Sequence, residues 1–128
     1  MSIEHRINPD AYAPKEIAAR VENTGVAKAN LPALQTLVLA ILGGAFIAFG
    51  AMFYTLVITN TDMGFDPERL LGGIVFSLGL ILVVVAGAEL FTGNNLIIMA
   101  WVERHISLAQ LLRNWTLVLV GNLIGAIA

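Results

Sequence analysis

Cysteine is absent from the 128-residue sequence, which excludes disulfides and thiolate metal sites. Charged residues are also scarce: they make up 12% of the chain, against about a quarter of a typical soluble domain. Hydrophobic residues reach 58%, and the mean hydropathy is +0.83. A net charge of -2 gives no reason to expect a nucleic-acid partner. Because the few charges cluster and leave uncharged blocks longer than the ~18 residues of a candidate spanning helix, we predict an all-α membrane protein.

The pattern along the chain separates a polar segment from a transmembrane half-domain. Residues 1–30 form the polar segment, in which Pro14 is expected to begin a short amphipathic helix and Gly25 to end it. The pattern leaves open whether this helix lies on the membrane surface or stands in solvent. Residues 31–128 form the half-domain, with apolar spans predicted over 34–58, 69–101 and 114–128 and a turn over 59–68.

Small residues recur every four positions on two of the predicted spans. Ala40, Gly44 and Ala48 lie on the first span, and Gly121 and Gly125 lie on the third. This spacing places the small side chains on one face of a helix and predicts close approach of a neighbouring helix.

The second span is too long for one crossing. Residues 69–101 would form a helix of roughly 50 Å at 1.5 Å per residue, whereas the hydrocarbon layer is about 30 Å thick. The stretch 87–95 contains a carboxylate, a hydroxyl, two amides and two glycines. We therefore predict that the second helix is broken near 87–95 by an intramembrane loop.

The third span is short, and this bears on how the chain is completed. From Trp115 to Ala128 it offers only about 14 residues, fewer than the ~20 of a full crossing. We therefore expect 114–128 to be a truncated span and the natural gene product to continue. Two half-chains inserted in opposite orientations would be the alternative, but that needs a balanced Lys/Arg distribution. The distribution is biased towards a cytoplasmic N-terminus: Lys15, Arg20, Lys28, Arg104 and Arg113 against Arg69.

Glu89 is the residue in the apolar segment that most needs an explanation. A carboxylate at membrane depth costs several kcal/mol unless it is paired, so it marks either a transport pathway or a group that caps and rigidifies the loop. The N–H groups of a second half-helix beginning at Gly93, Asn94 and Asn95 could attract an anion. The hydroxyl of Thr92 could equally bond back to the preceding turn.

Three runs of residues resemble the formate/nitrite transporter family. They are GGIVFSLGLIL at 72–82, AELFTGN at 88–94, and RNW at 113–115 followed by GNLIGA at 121–126. The similarity covers the chain from about Val21 onward. The Leu-Phe-Thr loop after a glycine-rich helix is the most specific of these motifs.

The resemblance implies a fold and a function. Family members are homopentamers in the inner membrane, and each protomer has its own pore inside six helices arranged as two inverted repeats. This chain would supply the first repeat, an aquaporin-like half-fold of three transmembrane helices. The expected partners are the lipid bilayer, a proton and a small monovalent weak-acid anion such as formate or nitrite. No cofactor and no metal are implied.

The resemblance also implies which residues form the site. The pore constriction would comprise Phe76, Leu80, Leu90 and Phe91. From spacing alone, Phe76 and Leu80 would simply pack against lipid or protein. The gating loop would comprise Glu89, Leu90, Phe91, Thr92, Gly93 and Asn94.

Two departures from the family limit what the resemblance implies. Its formate branch often has Asp at the position of Glu89 and Ser at that of Gly93, so the transported anion stays open. The family has a single essential pore histidine, which lies in the second repeat. In the family, the hydroxyl at the position of Thr92 contacts this histidine. His5 and His105 lie in polar segments, where solvated surface histidines are expected.

Two other functions compete with a channel. A truncated half-protomer could have a structural or assembly role and conduct nothing. A membrane enzyme is disfavoured because the sequence shows no nucleophile–base pair and no metal-ligand cluster. We therefore expect that the chain is not an enzyme.

Overall fold

The computed structural model describes residues 12–128, which are 82% helical and contain no strand. This confirms the prediction of an all-α chain. Six helices are joined by short connections, and a single 3₁₀ turn, Asn95–Ile97, links the fourth to the fifth. The helices are α1 (Pro14–Ala29), α2 (Ala33–Ile58), α3 (Phe65–Ala86), α4 (Phe91–Asn94), α5 (Ile98–Val102) and α6 (Leu108–Ile127).

Helices α2 and α3 are long and apolar enough to cross a membrane. Only 28% and 17% of their apolar windows are buried within the chain, whereas the core helix of a soluble protein would be mostly buried. Their exposed faces therefore suit contact with lipid or with further protein. Helix α6 contains the predicted third span but begins earlier, at Leu108, and carries Arg113, Asn114 and Asn122. That third crossing stays a prediction.

Helix α2 packs between α3 and α6 through glycines. A β-carbon added at Gly44 would collide with the main-chain carbonyl of Asn122, and one at Gly125 would collide with that of Ile41. Ala40, on the same face of α2, is fully buried. The predicted close approach of these helices is confirmed at these positions.

Helix α1 begins at Pro14 as predicted, but it does not end at Gly25. It continues to Ala29 because Gly25 is buried against the α5 region, where an added β-carbon would lie 3.3 Å from both Ile97 and Ala100. The glycine thus permits close packing and is not a stop signal. An apolar cluster fixes α1 on the rest of the chain: Ala29, Ile97, Ala100, Ile106 and Leu111.

The connection between α2 and α3 is shorter than the predicted turn over 59–68. Helix α3 begins at Phe65, immediately after Gly64, whose φ of +87° suits glycine. Asp66 and Glu68 therefore lie in the first helical turn, where negative charge interacts favourably with the helix dipole. Helix α3 thus begins one turn before the apolar span predicted from about 69.

The glycine packing gives a matched test within α3. A β-carbon at Gly79 would lie 2.7 Å from the main-chain oxygen of Phe46, whereas one at Gly73 would meet nothing within 4 Å. We expect Gly79→Ala to lower the free energy of unfolding by about 1–3 kcal/mol, because a helix backbone cannot shift cheaply. Gly73→Ala should be neutral, or stabilising by up to about 1 kcal/mol. Thermal unfolding in detergent, followed by circular dichroism, measures both, and equal effects would contradict this packing.

Candidate functional site

The site is organised by the non-helical residues 87–90 between α3 and α4. Helix α3 ends in a Schellman motif: the N–H of Ala88 donates to the carbonyl of Val83 over 3.0 Å, and that of Gly87 donates to Val84 over 3.3 Å. Gly87 adopts the left-handed conformation, with φ of +63°, that this motif requires. The chain then turns towards α2, and the N–H of Glu89 donates to the carbonyl of Leu39 over 3.1 Å.

The carboxylate of Glu89 is buried and fully compensated. The residue is 3% exposed. One carboxylate oxygen lies 3.1 Å from the ammonium of Lys28, and the other accepts a hydrogen bond from the side-chain amide of Asn94 over 2.6 Å. Lys28 comes from the last turn of α1. The charge of Glu89 is therefore balanced by side chains and not by the loop amides that the capping hypothesis required.

Asn94 connects this ion pair to α6. Its amide nitrogen also donates to the side-chain oxygen of Asn114 over 2.9 Å, and its own side-chain oxygen accepts from Lys28 over 2.9 Å. The indole N–H of Trp115 donates to the main-chain carbonyl of Asn94 over 2.9 Å. Asn94 is fully buried and fully bonded, so α1, the loop and α6 share one closed polar network.

A second asparagine, Asn122 of α6, holds the loop from the opposite side. Its side-chain oxygen accepts the main-chain N–H of Phe91 over 2.9 Å. Its amide nitrogen donates to the main-chain carbonyls of Glu89, over 2.9 Å, and of Ala40, over 2.7 Å. One side chain thereby joins α2, α6 and the loop.

A cleft of about 370 Å³ lies where α3, the loop and the end of α1 meet. It brings together most of the gating-loop residues predicted from the sequence with one residue of the predicted constriction on α3. Lys28 is the basic side chain in its lining. The lining comprises Lys28, Leu80, Val83, Val84, Gly87, Ala88, Glu89, Leu90, Thr92 and Gly93.

The other two predicted constriction residues lie outside this cleft. Phe76 is one turn before Leu80 on α3 and lines a separate groove with residues of α2. Phe91 points towards α6, where its ring packs edge-to-face on Trp115 with 6.3 Å between the ring centroids. Leu80 and Leu90 thus share one cleft, while Phe76 and Phe91 do not line it.

Thr92 is exposed at the cleft, at the start of the short helix α4. Among the described residues, its hydroxyl makes no hydrogen bond, so the bond back to the preceding turn that membrane threonines often make does not form here. The hydroxyl therefore lies in the cleft without a protein partner from residues 12–128.

His105 does not line the cleft. His105 is half-exposed, and its Nδ1 lies 2.8 Å from a carboxylate oxygen of Glu22 on α1. It is therefore paired and not simply solvated. His5 lies outside the described residues. Within residues 12–128, no three metal-ligating side chains come together.

Sequence reasoning missed three residues of the network. From the sequence, Lys28 stands out only as a charge that orients the protein, and Asn114 and Asn122 stand out only as parts of motifs. A signal for both asparagines was present, because an amide inside an apolar helix usually marks a hydrogen bond between segments. For Lys28 no local signal existed, since its partners lie far away in sequence.

Comparison with known proteins identifies relatives for this chain. A sequence model of the family described as "Formate/nitrite transporter" matches residues 15–128. The formate channel FocA of Escherichia coli K12 is 46% identical over 122 residues, which cover 94% of this chain and 43% of FocA. An uncharacterized transporter of Bacillus subtilis, YrhG, is 46% identical over 116 residues, covering 89% of this chain and 44% of that protein. The formate channel BtFdhC of Bacillus thuringiensis is 42% identical over 125 residues, covering 91% and 46%.

The chain thus spans less than half the length of these curated relatives. The relatives are named as channels or transporters and not as enzymes, which agrees with the expectation that this chain is not an enzyme. The family match covers residues 15–128, which include α1 except for Pro14, the loop at 87–90 and the cleft beside it. On this evidence the chain belongs to the formate/nitrite transporter family.

Proposed function

We propose that this chain is the N-terminal half of a membrane channel or transporter for formate or a closely related small monovalent anion. The names of three relatives from the comparison support the transport class, and two of them are named as formate channels. The pore is completed by a second, inverted repeat outside this chain. This chain has Glu89 and Gly93 at positions where the formate branch often has Asp and Ser. Nitrite therefore stays within the proposed class of transported anions.

The observation that carries this proposal is an apolar cleft whose one lining carboxylate among residues 12–128, that of Glu89, is paired. A small anion that enters such a cleft gives up much of its hydration, and an unpaired negative charge nearby would repel it. Lys28 and Asn94 compensate Glu89. The ammonium of Lys28 also lines the cleft, with its side chain 29% exposed. The cleft thus combines apolar walls with a cationic group at its edge.

Leu80 and Leu90 form the inner constriction in this proposal, because they line the same cleft from α3 and from the loop. Phe76 lies one turn further along α3 and forms a second narrow point. Phe91 acts from behind the loop, where its contact with Trp115 supports the position of Leu90. The hydroxyl of Thr92 faces the anion path and offers a hydrogen bond to the anion or to a group of the second repeat.

The proposed placement in the membrane follows from the exposed apolar faces and the charge distribution. Helices α2, α3 and α6 cross the inner membrane as an aquaporin-like half-fold, and the loop at 87–90 breaks the second crossing at membrane depth. The N-terminus and the turn between α5 and α6 face the cytoplasm. The protomers assemble as a homopentamer, in which neighbouring protomers cover part of the exposed apolar surface of α2 and α3.

Transport is tested directly in proteoliposomes that contain the full-length gene product. We expect uptake of ¹³C- or ¹⁴C-labelled formate driven by its concentration gradient, with a rate that rises as the external pH falls, because a proton accompanies or transiently neutralises the anion. Nitrite should compete, and sulfate should not. Uptake no faster than in protein-free liposomes would overturn the proposal and favour a structural role.

The ion pair gives a second prediction. Lys28→Met leaves the buried carboxylate without its cation, and Glu89→Gln leaves the ammonium without its anion, so each should lower stability by about 1–3 kcal/mol. The double variant removes both charges together and should be destabilised by less than the sum of the two single effects. Unfolding of the three variants in detergent, combined as a double-mutant cycle, measures the coupling. Additive effects would show that the pair contributes nothing.

Thr92→Val removes the free hydroxyl and keeps the side-chain shape. We expect formate uptake with an altered pH dependence and unchanged thermal stability, because the hydroxyl makes no bond to another described residue. Thr116→Val makes the same chemical change at an exposed position of α6 and serves as the control. Identical pH profiles for the two variants and the unsubstituted protein would remove Thr92 from the pathway.

A further inference from the structure

The main chain between Glu89 and Phe91 is held by a single side chain at both ends. Asn122 accepts the N–H of Phe91 and donates to the carbonyl of Glu89, each over 2.9 Å. Its second amide hydrogen is directed to the carbonyl of Ala40 on α2 over 2.7 Å. Asparagine suits this position because it alone offers an acceptor and two donors on so short a side chain. Aspartate would keep the acceptor but would present oxygen to both carbonyls.

Helix α2 confines the same stretch of main chain. A β-carbon at Gly43 would collide with the carbonyl of Glu89, so no side chain separates the loop from the helix at this point. On the adjacent turn, the carbonyl of Leu39 accepts the N–H of Glu89 over 3.1 Å. The Glu89–Phe91 main chain is therefore bonded to α2 and to α6 and touches both.

The residues that face the cleft are held by fewer hydrogen bonds than the main chain from Glu89 to Phe91. The side chain of Leu90 is half-buried, and Thr92 and Gly93 are exposed. A few residues further on, the chain is fixed again by the fully buried side chain of Asn94. The loop thus alternates between main chain that is anchored at 89, 91 and 94 and side chains at 90 and 92 that face the cleft.

We propose that Asn122 is a positioning residue that fixes the main chain from Glu89 to Phe91. The width of the passage beside the loop is then set by the Leu90 side chain and by Thr92–Gly93, and not by movement of the whole loop. The consequence for transport rests on the function proposed above. The fixed position of the main chain does not rest on that function. The fixed main chain and its consequence for transport are therefore tested separately.

Amide hydrogen exchange of the unsubstituted full-length protein tests the fixed main chain without any mutation. We expect the N–H of Phe91, bonded to Asn122, to exchange at least about tenfold more slowly than those of Thr92 and Gly93 in the same loop. Equal exchange at these three positions would overturn the proposal. This result is independent of whether the protein transports formate.

The role of Asn122 is then tested in the Leu90→Cys variant. Residues 1–128 contain no natural cysteine, so the introduced thiol is the only one in this segment. We expect Asn122→Asp and Asn122→Leu each to raise the rate of Leu90→Cys modification by a charged thiol reagent about fivefold, since each removes at least two hydrogen bonds. Asn95→Asp makes the same chemical change at an exposed position of the same segment and should leave the rate unchanged.

The two Asn122 variants distinguish the effect of the loop's position on transport from the effect of an added negative charge. A loosened constriction should lower the ratio of formate uptake to acetate uptake in both variants, whereas an added negative charge acts only in Asn122→Asp. Unchanged labelling and an unchanged uptake ratio in both would refute the positioning role. If neither variant assembles, the exchange rate of the Phe91 amide decides alone. Absence of formate uptake by the unsubstituted protein would instead refute the proposed function.

Discussion

An ionised carboxylate among apolar helices is stable only where other groups replace its lost water, and the rest of the site depends on how Glu89 meets this requirement. Lys28 supplies a cation, and Asn94 supplies a hydrogen bond. Asn94 and Lys28 in turn are bonded to each other and to Asn114. Because each group completes the bonding of the next, the loop cannot change position without exposing or orphaning a buried polar group.

The network also explains why the first helix belongs to the site. An isolated amphipathic helix would gain little by resting on the chain, but α1 contributes the counter-charge for Glu89. Gly25 lets α1 lie directly on the segment that follows the loop, which brings Lys28 within reach of the carboxylate. Apolar packing and charge compensation therefore act at neighbouring points of the same helix.

The sequence predicted an all-α chain and a helix that begins at Pro14, because long uncharged runs and a proline at the first helical position act locally. It was less informative where the outcome depends on contacts distant in sequence. Gly25 resembles a stop signal until Ile97 and Ala100 are known to lie against it. Lys28 and Asn94, which are separated by 66 residues, could not be paired from periodicity.

The site residues show the same division. Leu80 and Leu90, which the family resemblance assigns to the pore constriction, lie in one cleft; the constriction itself stays a prediction. Phe91 does not line it, since the contact with Trp115 depends on how α6 crosses the loop. The family resemblance therefore does not determine the direction of each side chain, and the roles it implies for the loop stay predictions.

The cleft is open on one side, and its chemistry indicates what can close it. Leu80 and the neighbouring Val84 are 52% and 71% exposed, and lipid could cover both. The hydroxyl of Thr92 lies at the same opening without a hydrogen-bond partner among residues 12–128, and the hydrocarbon layer cannot supply one because it offers no hydrogen-bonding groups. A protein surface with a polar group opposite Thr92 would complete its hydrogen bonding. In the function proposed above, that surface belongs to the second repeat; an apolar helix face would leave the hydroxyl of Thr92 without a partner.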